Sequence, residues 1–160
     1  METELIRINE EDLQTEEGIR GIEKAAALLK AGEVVAFPTE TVYGLGADGM
    51  KASASEKVYA AKGRPSDNPL ILHIADFSQL SGIAENISDH AWKLMRAFWP
   101  GPMTIILNKK PEVPKETTGG LNTVAVRMPN HPVARELILR AGLPVAAPSA
   151  NRSGRPSPTE

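Results

Sequence analysis

Two short stretches concentrate groups able to hold a polyanion. In "KGRPSDNP", residues 62–69, Lys62 and Arg64 bracket a glycine, and two prolines and Asn68 follow within the same eight residues. Glycine and proline together make a rigid turn with accessible backbone. There an arginine fork can clamp two phosphate oxygens at once, while a lysine adds a point charge. A cation beside a helix end also has a plainer use, interaction with the negative end of the helix dipole. The density of cations, prolines and amide donors in one loop tips the reading toward a bound anion. The second stretch, "PSANRSGRPS" at residues 148–157, offers Ser149 and Asn151 as short donors on a loop leaving a strand, where ligands of layered αβ folds tend to sit.

The elements that must position these loops follow from the apolar pattern. Thr15 is expected to cap a helix with Ile19, Ile22, Ala26 and Leu29 on one side, ending at Gly32. "EVVAF" reads as a buried strand. Ser53 with Glu56 forms a capping-box pattern for a short helix that must stop at Gly63, because Pro65 forbids continuation. Lys62 and Arg64 therefore flank a helix end. "LILHI" at 70–74 predicts a strand, Asp76 a brief capped helix, and Ser88 a stronger helix with Ala91, Leu94, Met95 and Phe98 as its apolar stripe. Trp92 and Trp99 read as packing residues. "MTIIL" reads as another buried strand, and "TVAVRM" at 123–128 alternates, so that Thr123 and Arg127 share a face. Asn130 is expected to cap a last helix through Val133, Leu137, Ile138 and Ala141, and "LPVAA" predicts a short strand. Helices and strands interleave without a linker or low-complexity segment. The expected fold class is α+β: a single layered domain over 1–160, a twisted mixed sheet flanked by helices.

Composition narrows the chemistry. The chain has 160 residues, 41% hydrophobic and 4% aromatic, as expected of one soluble domain with an aliphatic core. It contains no cysteine, which excludes disulfides and thiolate zinc sites and fits a reducing compartment. No leader pattern or long apolar run occurs, so a cytoplasmic protein with no membrane partner is expected. A net charge of -2 argues against wholesale binding of a polyanion but allows a local basic site. Glutamate dominates residues 2–17, whereas Lys93, Arg96, Lys109, Lys110 and Lys115 lie along the middle. "GLGADG" at 44–49 fits G-x-G-x-x-G, yet "PTETVY" separates it from the preceding strand and no acid ends a second strand at the right distance, so a dinucleotide site is rejected. There is no Walker loop. His73, His90 and His131 lack ligand-like spacing, and no metal site is assigned.

Taken in order, "FPTETVYGLGA", "AKGRPSDNPLILHI", "WPGPMTIIL", "TVAVRMP" and "PSAN" resemble the YrdC-like threonylcarbamoyl-AMP synthases, over residues from about 19 to 160. The resemblance implies an enzyme, a nucleotidyltransferase that joins L-threonine, bicarbonate and ATP into threonylcarbamoyl-AMP and pyrophosphate. This is the first step of threonylcarbamoyladenosine formation in tRNA. It implies a positively lined concave cavity, magnesium carried with ATP, and tRNA and tRNA-threonylcarbamoyl transfer proteins as partners. Position by position, it assigns the triphosphate to Lys62 and Arg64, which also serve as the catalytic pair. Nucleotide contacts fall to Asn68, Thr123, Ser149, Asn151 and Ser157. Threonine falls to Thr41, His73, Arg127 and the backbone of Ala147. From its own sequence context, His73 reads as a satisfied core histidine. Glu40, Asp48 and Asp67 are left unassigned.

The implied mechanism is electrostatic. A carbamate made from threonine's amine and bicarbonate is already anionic, so its attack on the α-phosphate needs neutralised phosphates more than a base. Two alternatives stand beside this reading: an RNA-binding or ribosome-associated module of the same fold using the Lys93–Lys115 cations, and the carbamoyl-transfer enzyme of hydrogenase maturation, whose usual cysteine-rich modules have no counterpart here. After Ala147 the chain supplies only a polar loop. The family's domain continues further, so the chain is expected to be truncated at its C-terminal end, with residues 149–160 mobile, ATP bound weakly and turnover poor or absent.

Overall fold

A computed structural model describes residues 2–160. Helix α1 spans Glu16–Lys30, and Thr15 caps it as expected, its hydroxyl accepting from the Gly18 amide at 3.1 Å. Strands β1 (Val35–Phe37) and β2 (Gly44–Asp48) follow, then α2 (Ala52–Lys62) and β3 (Ile71–His73). A capped 3-10 turn at Phe77–Gly82 leads to β4 (Ala84–Glu85), α3 (Asp89–Phe98), β5 (Thr104–Lys109), β6 (Thr123–Arg127), α4 (Pro132–Ala141) and β7 (Val145–Ala147). The strands form one seven-stranded mixed sheet in the order β1-β2-β7-β3-β6-β5-β4, in which β3 and β6 run parallel and the other neighbours antiparallel.

Period-two alternation divides the sheet into two faces with different cover. Ala47, Leu72, Val124, Val126 and Ala146 point to one face, packed under Ala54, Val58 and Tyr59 of α2 and Ala91 and Met95 of α3. Phe37, Val145 and Ala147 point to the other, under Ala25, Ala26 and Leu29 of α1 and Leu137, Ile138 and Ala141 of α4. That second cover stops short. Towards β6 and β5 the same face carries Thr123 and Ala125, half-buried, and Thr104, Ile106 and Asn108, exposed. A helix-free strip of sheet is therefore presented beside the ends of β3 and β7.

Several local expectations change for physical reasons. "GLGAD" is a strand, and its glycines serve packing. A Cβ on Gly46 would lie 2.6 Å from Val145 Cγ1 and 2.7 Å from Phe37 Cε1, so glycine lets the Phe37 ring lie on the sheet. Burial of that ring contributes roughly 1.5–3 kcal/mol. "EVVAF" is not buried throughout, because β1 is an edge strand in which only Phe37 is covered. In β5, Ile106 remains 68% exposed, on the face without helices. Helix α2 starts before Ser53: Asp48 turns the chain by accepting from the Met50 amide, and Lys51 takes the cap position without a side-chain bond. Its end is as expected, with Gly63 at φ 62° closing the helix. Helix α4 is capped by His131, whose Nδ1 accepts from the Val133 amide, and not by Asn130, whose own amide is used elsewhere. Phe98 lies outside the core because α3 ends there and Trp99 turns inward, donating from Nε1 to Met103 O at 2.7 Å.

Candidate functional site

Arg127 ends β6, in register with His73 of β3 on one side and Thr104 of β5 on the other. Strand alternation gives its side chain to the partly uncovered face, and the residue is 8% exposed. An arginine so placed must spend its donors. Its Nε donates to Gly101 O at 3.3 Å, Nη1 to Thr41 Oγ1 at 3.3 Å, and Nη2 to Glu40 Oε1. The second oxygen of Glu40 accepts from the Asn130 amide at 2.7 Å. Glu40 is thus part of the site. The only sequence signal for it is an acid beside Thr41 in "PTET", which does not by itself separate a site residue from a surface acid.

His73 lies in the next position across the sheet, 4% exposed, with the Phe37 ring edge-on at 5.8 Å. Its Nδ1 faces two carbonyl oxygens, Ile71 O at 3.1 Å and Val145 O at 3.3 Å. Carbonyls only accept, so Nδ1 carries the proton and Nε2 is an acceptor. Burial, reinforced by the Arg127 charge, pushes the His73 pKa down to about 4. The ring is neutral at physiological pH. It is both a core histidine and an acceptor beside an arginine.

The other end of the site is made by the helix end and the loop after β7. Lys62, the last residue of α2, is 5% exposed, and its ammonium donates to Ser149 O and Asn151 O, both at 2.5 Å, and reaches Asn151 Oδ1 at 3.5 Å. Burial, and then the Arg64 charge, lower its pKa. Asn151 is the hub of the loop: its Oδ1 accepts from the Ser149 and Ser157 hydroxyls, and its Nδ2 donates to Arg152 O and Arg155 O. Arg64 folds over its own turn, donating to Asn68 O at 3.2 Å and Pro69 O at 3.1 Å, while the Tyr59 hydroxyl also donates to Asn68 O. The turn is closed by these bonds, and Arg64 keeps guanidinium donors beyond them.

Residues 39–43 join the two ends. Glu40 and Thr41 meet Arg127, while Tyr43 accepts from the Ala150 amide at 2.7 Å and donates to Pro158 O at 3.0 Å. The loop over 149–158 is hydrogen-bonded at both ends, through Ser149, Ala150 and Pro158.

The structure brings Thr41, His73 and Arg127 together, with Ala147 beside Ile71 across the β3–β7 ladder, and it brings Lys62, Ser149, Asn151 and Ser157 together. Asn68 and Thr123 stand apart from both groups. Thr123 shares the Arg127 face but lies four residues away along β6, on the order of 13 Å. Two surface depressions lie elsewhere, one lined by residues of α1 and by Arg140 of α4 and one by Glu85, Asn86, Asn108, Lys109, Pro111 and Asn122. The Arg127 end lies on the part of the sheet face that carries no helix. Of the middle cations, Lys109 donates to Val113 O, Lys110 to Ser81 O, and Arg96 stacks over Trp92 at 5.4 Å. Among the described residues no group of three or more His, Cys, Asp or Glu could hold a metal, and no helix is long and apolar enough to cross a membrane.

The chain is an α+β domain with a mixed sheet, a buried lysine at a helix end tied to a serine-asparagine loop, and a buried arginine on the partly uncovered sheet face. The chain belongs to the Sua5/YciO/YrdC family, whose model, described as "Telomere recombination", matches residues 27–160. It is 59% identical over 140 residues to the threonylcarbamoyl-AMP synthase of Bacillus subtilis, across 87% of this chain and 40% of that protein. It is 40% identical over 145 residues to a putative threonylcarbamoyl-AMP synthase of Mycobacterium tuberculosis, across 91% of this chain and 66% of that one. Among solved structures it is similar to Pyrococcus abyssi Sua5 complexed with L-threonine, with a TM-score of 0.87 and 51% identity, covering 96% of this chain and 43% of that one. The chain spans about 40% of the length of the Bacillus subtilis and Pyrococcus abyssi synthases it matches.

Proposed function

We propose that this chain carries the substrate-binding face of a threonylcarbamoyl-AMP synthase, which joins L-threonine, bicarbonate and ATP into threonylcarbamoyl-AMP and pyrophosphate for tRNA modification in the cytoplasm. The observation that carries the reading is the meeting of Arg127, Thr41 and neutral His73 at one end of an open sheet face, with Lys62 and its serine-asparagine loop joined to them through residues 39–43. Similarity to a Sua5 solved with L-threonine supports the first end as an amino-acid site.

The residue chemistry fits each role. Arg127 has donors left for a carboxylate after serving Gly101, Thr41 and Glu40. Nε2 of His73 can accept from a hydroxyl. Arg64, on a loop clamped at Asn68 and Pro69, presents a fork to phosphate oxygens, and Lys62 fixes the loop whose Ser149 and Ser157 hydroxyls face the nucleotide. Asn68 and Thr123 supply outlying contacts to it, and Ala147 contributes backbone to the threonine end. Magnesium enters as part of the MgATP substrate.

Threonine's amine and bicarbonate give a carbamate with loss of water; its anionic oxygen attacks the α-phosphorus, and the bond to the bridging oxygen breaks as pyrophosphate departs. The protein's part is to align the two substrates and to offset charge on the transferred and leaving groups with Arg64 and Lys62. Mass spectrometry of a mixture of protein, threonine, bicarbonate and MgATP tests this. Threonylcarbamoyl-AMP is expected in amounts that depend on Arg64 and Arg127; ATP hydrolysis or silence without the adenylate would contradict it.

A further inference from the structure

The arginine offered to the amino acid is already paired. Glu40 takes one Nη2 proton of Arg127, and the pair is partly shielded: 10% of the arginine side chain and 23% of the glutamate side chain are exposed. Glu40 is itself anchored, since its other oxygen accepts from the Asn130 amide. The charge next to the open face is therefore a fixed dipole, positive at Arg127 and negative at Glu40, and not a free cation. Lys62 and Arg64, the two cations of the K-x-R loop, are engaged with the 149–151 and 68–69 segments.

A fixed dipole and a lone cation select different ligands. A plain carboxylate approaching Arg127 gains from the guanidinium and loses against Glu40, because in a shielded site both terms are screened far less than in water. An α-amino acid brings its own ammonium, which offsets the Glu40 carboxylate while its carboxylate meets Arg127. Each oxygen of Glu40 has a second lone pair to accept from that ammonium.

We infer that Glu40 is a specificity-determining residue: with Arg127 it makes the site select zwitterionic amino acids and reject carboxylic acids of the same shape that lack the amine. The inference rests on the proposed reading of the Arg127 end as an amino-acid site. Rejection of the deaminated compound matters for the chemistry, because only the amine can be carbamoylated. Glu40 acts here through repulsion of the wrong ligand as much as attraction of the right one.

The test is a set of calorimetric titrations with L-threonine and with 3-hydroxybutyrate, which keeps the carboxylate and hydroxyl but has no amine. Wild type, Glu40→Gln and Glu40→Asp are compared, and melting temperatures report whether each variant is folded. Wild type is expected to prefer threonine by roughly tenfold or more, as for one charge contact in a shielded site. Glu40→Gln is expected to bring the two ligands within about threefold, mainly by strengthening 3-hydroxybutyrate, and Glu40→Asp to keep the preference. An unchanged ratio in folded Glu40→Gln overturns the inference. So does equal binding of the two compounds by wild type, a result that needs no folded variant. A parallel titration with MgATP separates the failures: threonine and ATP binding with an unchanged ligand ratio in Glu40→Gln overturns the Glu40 inference alone, ATP binding with neither acid bound overturns the amino-acid reading of the Arg127 end with it, and no binding of ATP or threonine overturns the synthase reading as a whole.

Discussion

Arg127 and Lys62 are the two buried cations of the proposed site, but they are held by opposite means. Arg127 sits on a strand whose register with β3 and β5 fixes its position, and side chains from a distant turn complete its shell. Lys62 sits at a helix end and is satisfied almost wholly by main-chain oxygens of a loop with no strand of its own. At the first end the sheet positions the cation. At the second the cation positions the loop. Loss of Arg127 should therefore unsettle a local pair, whereas loss of Lys62 should release a whole segment.

The largest effect expected is that of Lys62→Met, which keeps the length of the side chain but leaves Ser149 O and Asn151 O without their donor. Adenylate formation is predicted to fall by about 10³-fold or more, combining the lost charge with a displaced loop. Amide hydrogen exchange at Ala150 and Ser153, whose amides donate to Tyr43 O and Lys62 O, should accelerate. If these amides keep wild-type protection in the variant, the lysine does not hold the loop and the contrast between the two ends fails.

A comparable energy is stored in His73, at the sheet-built end. Its pKa is about 4 in the folded protein against about 6.5 in an unfolded chain, so between these values the unfolded state binds the extra proton. Stability from the buried neutral ring is complete above about pH 6.5 and is lost as pH falls toward about 4, by about 3 kcal/mol in all. Denaturant titrations across this window should show the slope in wild type and not in a folded His73→Gln variant. The same slope in both would assign it to carboxylates elsewhere.

Arg64→Lys should lower turnover by about 10²-fold, because an ammonium cannot hold Asn68 O and Pro69 O together and still present a fork to phosphate. Unchanged turnover would reduce Arg64 to a helix-end charge. Arg127→Ala should abolish threonine binding and also cost about 1–3 kcal/mol of stability by leaving the Glu40 carboxylate unpaired, more than a freely exposed arginine would. The melting temperature is expected to fall by about 2–4 °C for each kcal/mol, and Glu40→Ala added to Arg127→Ala should recover part of the loss. Absence of that recovery would mean the ion pair contributes nothing to the fold.

The same contrast explains what the sequence could disclose. The alternation in "TVAVRM" put Arg127 on the correct face, and Gly63 before Pro65 located the end of α2, because both are local rules of backbone geometry. The residues that meet across long separations were beyond such rules. Glu40 and Arg127 are paired over 87 positions, and Lys62 and Asn151 over 89. The 62–69 and 148–157 stretches drew attention through their own cations, prolines and short donors, whereas Thr41 entered only through resemblance to a family. "GLGADG" shows the limit from the other side: its glycines answer to the Phe37 and Leu72 side chains packed above them, which no reading of the motif alone supplies.

Calorimetric titration of the wild-type chain with L-threonine and with MgATP, each repeated on Arg127→Ala and Lys62→Met, tests the two-ended site most directly. Both ligands are predicted to bind wild type, with Arg127→Ala losing threonine while keeping ATP, and Lys62→Met losing ATP while keeping threonine. No heat from either ligand on wild type, or either substitution erasing both ligands in a folded protein, would contradict a site built of two separately held ends.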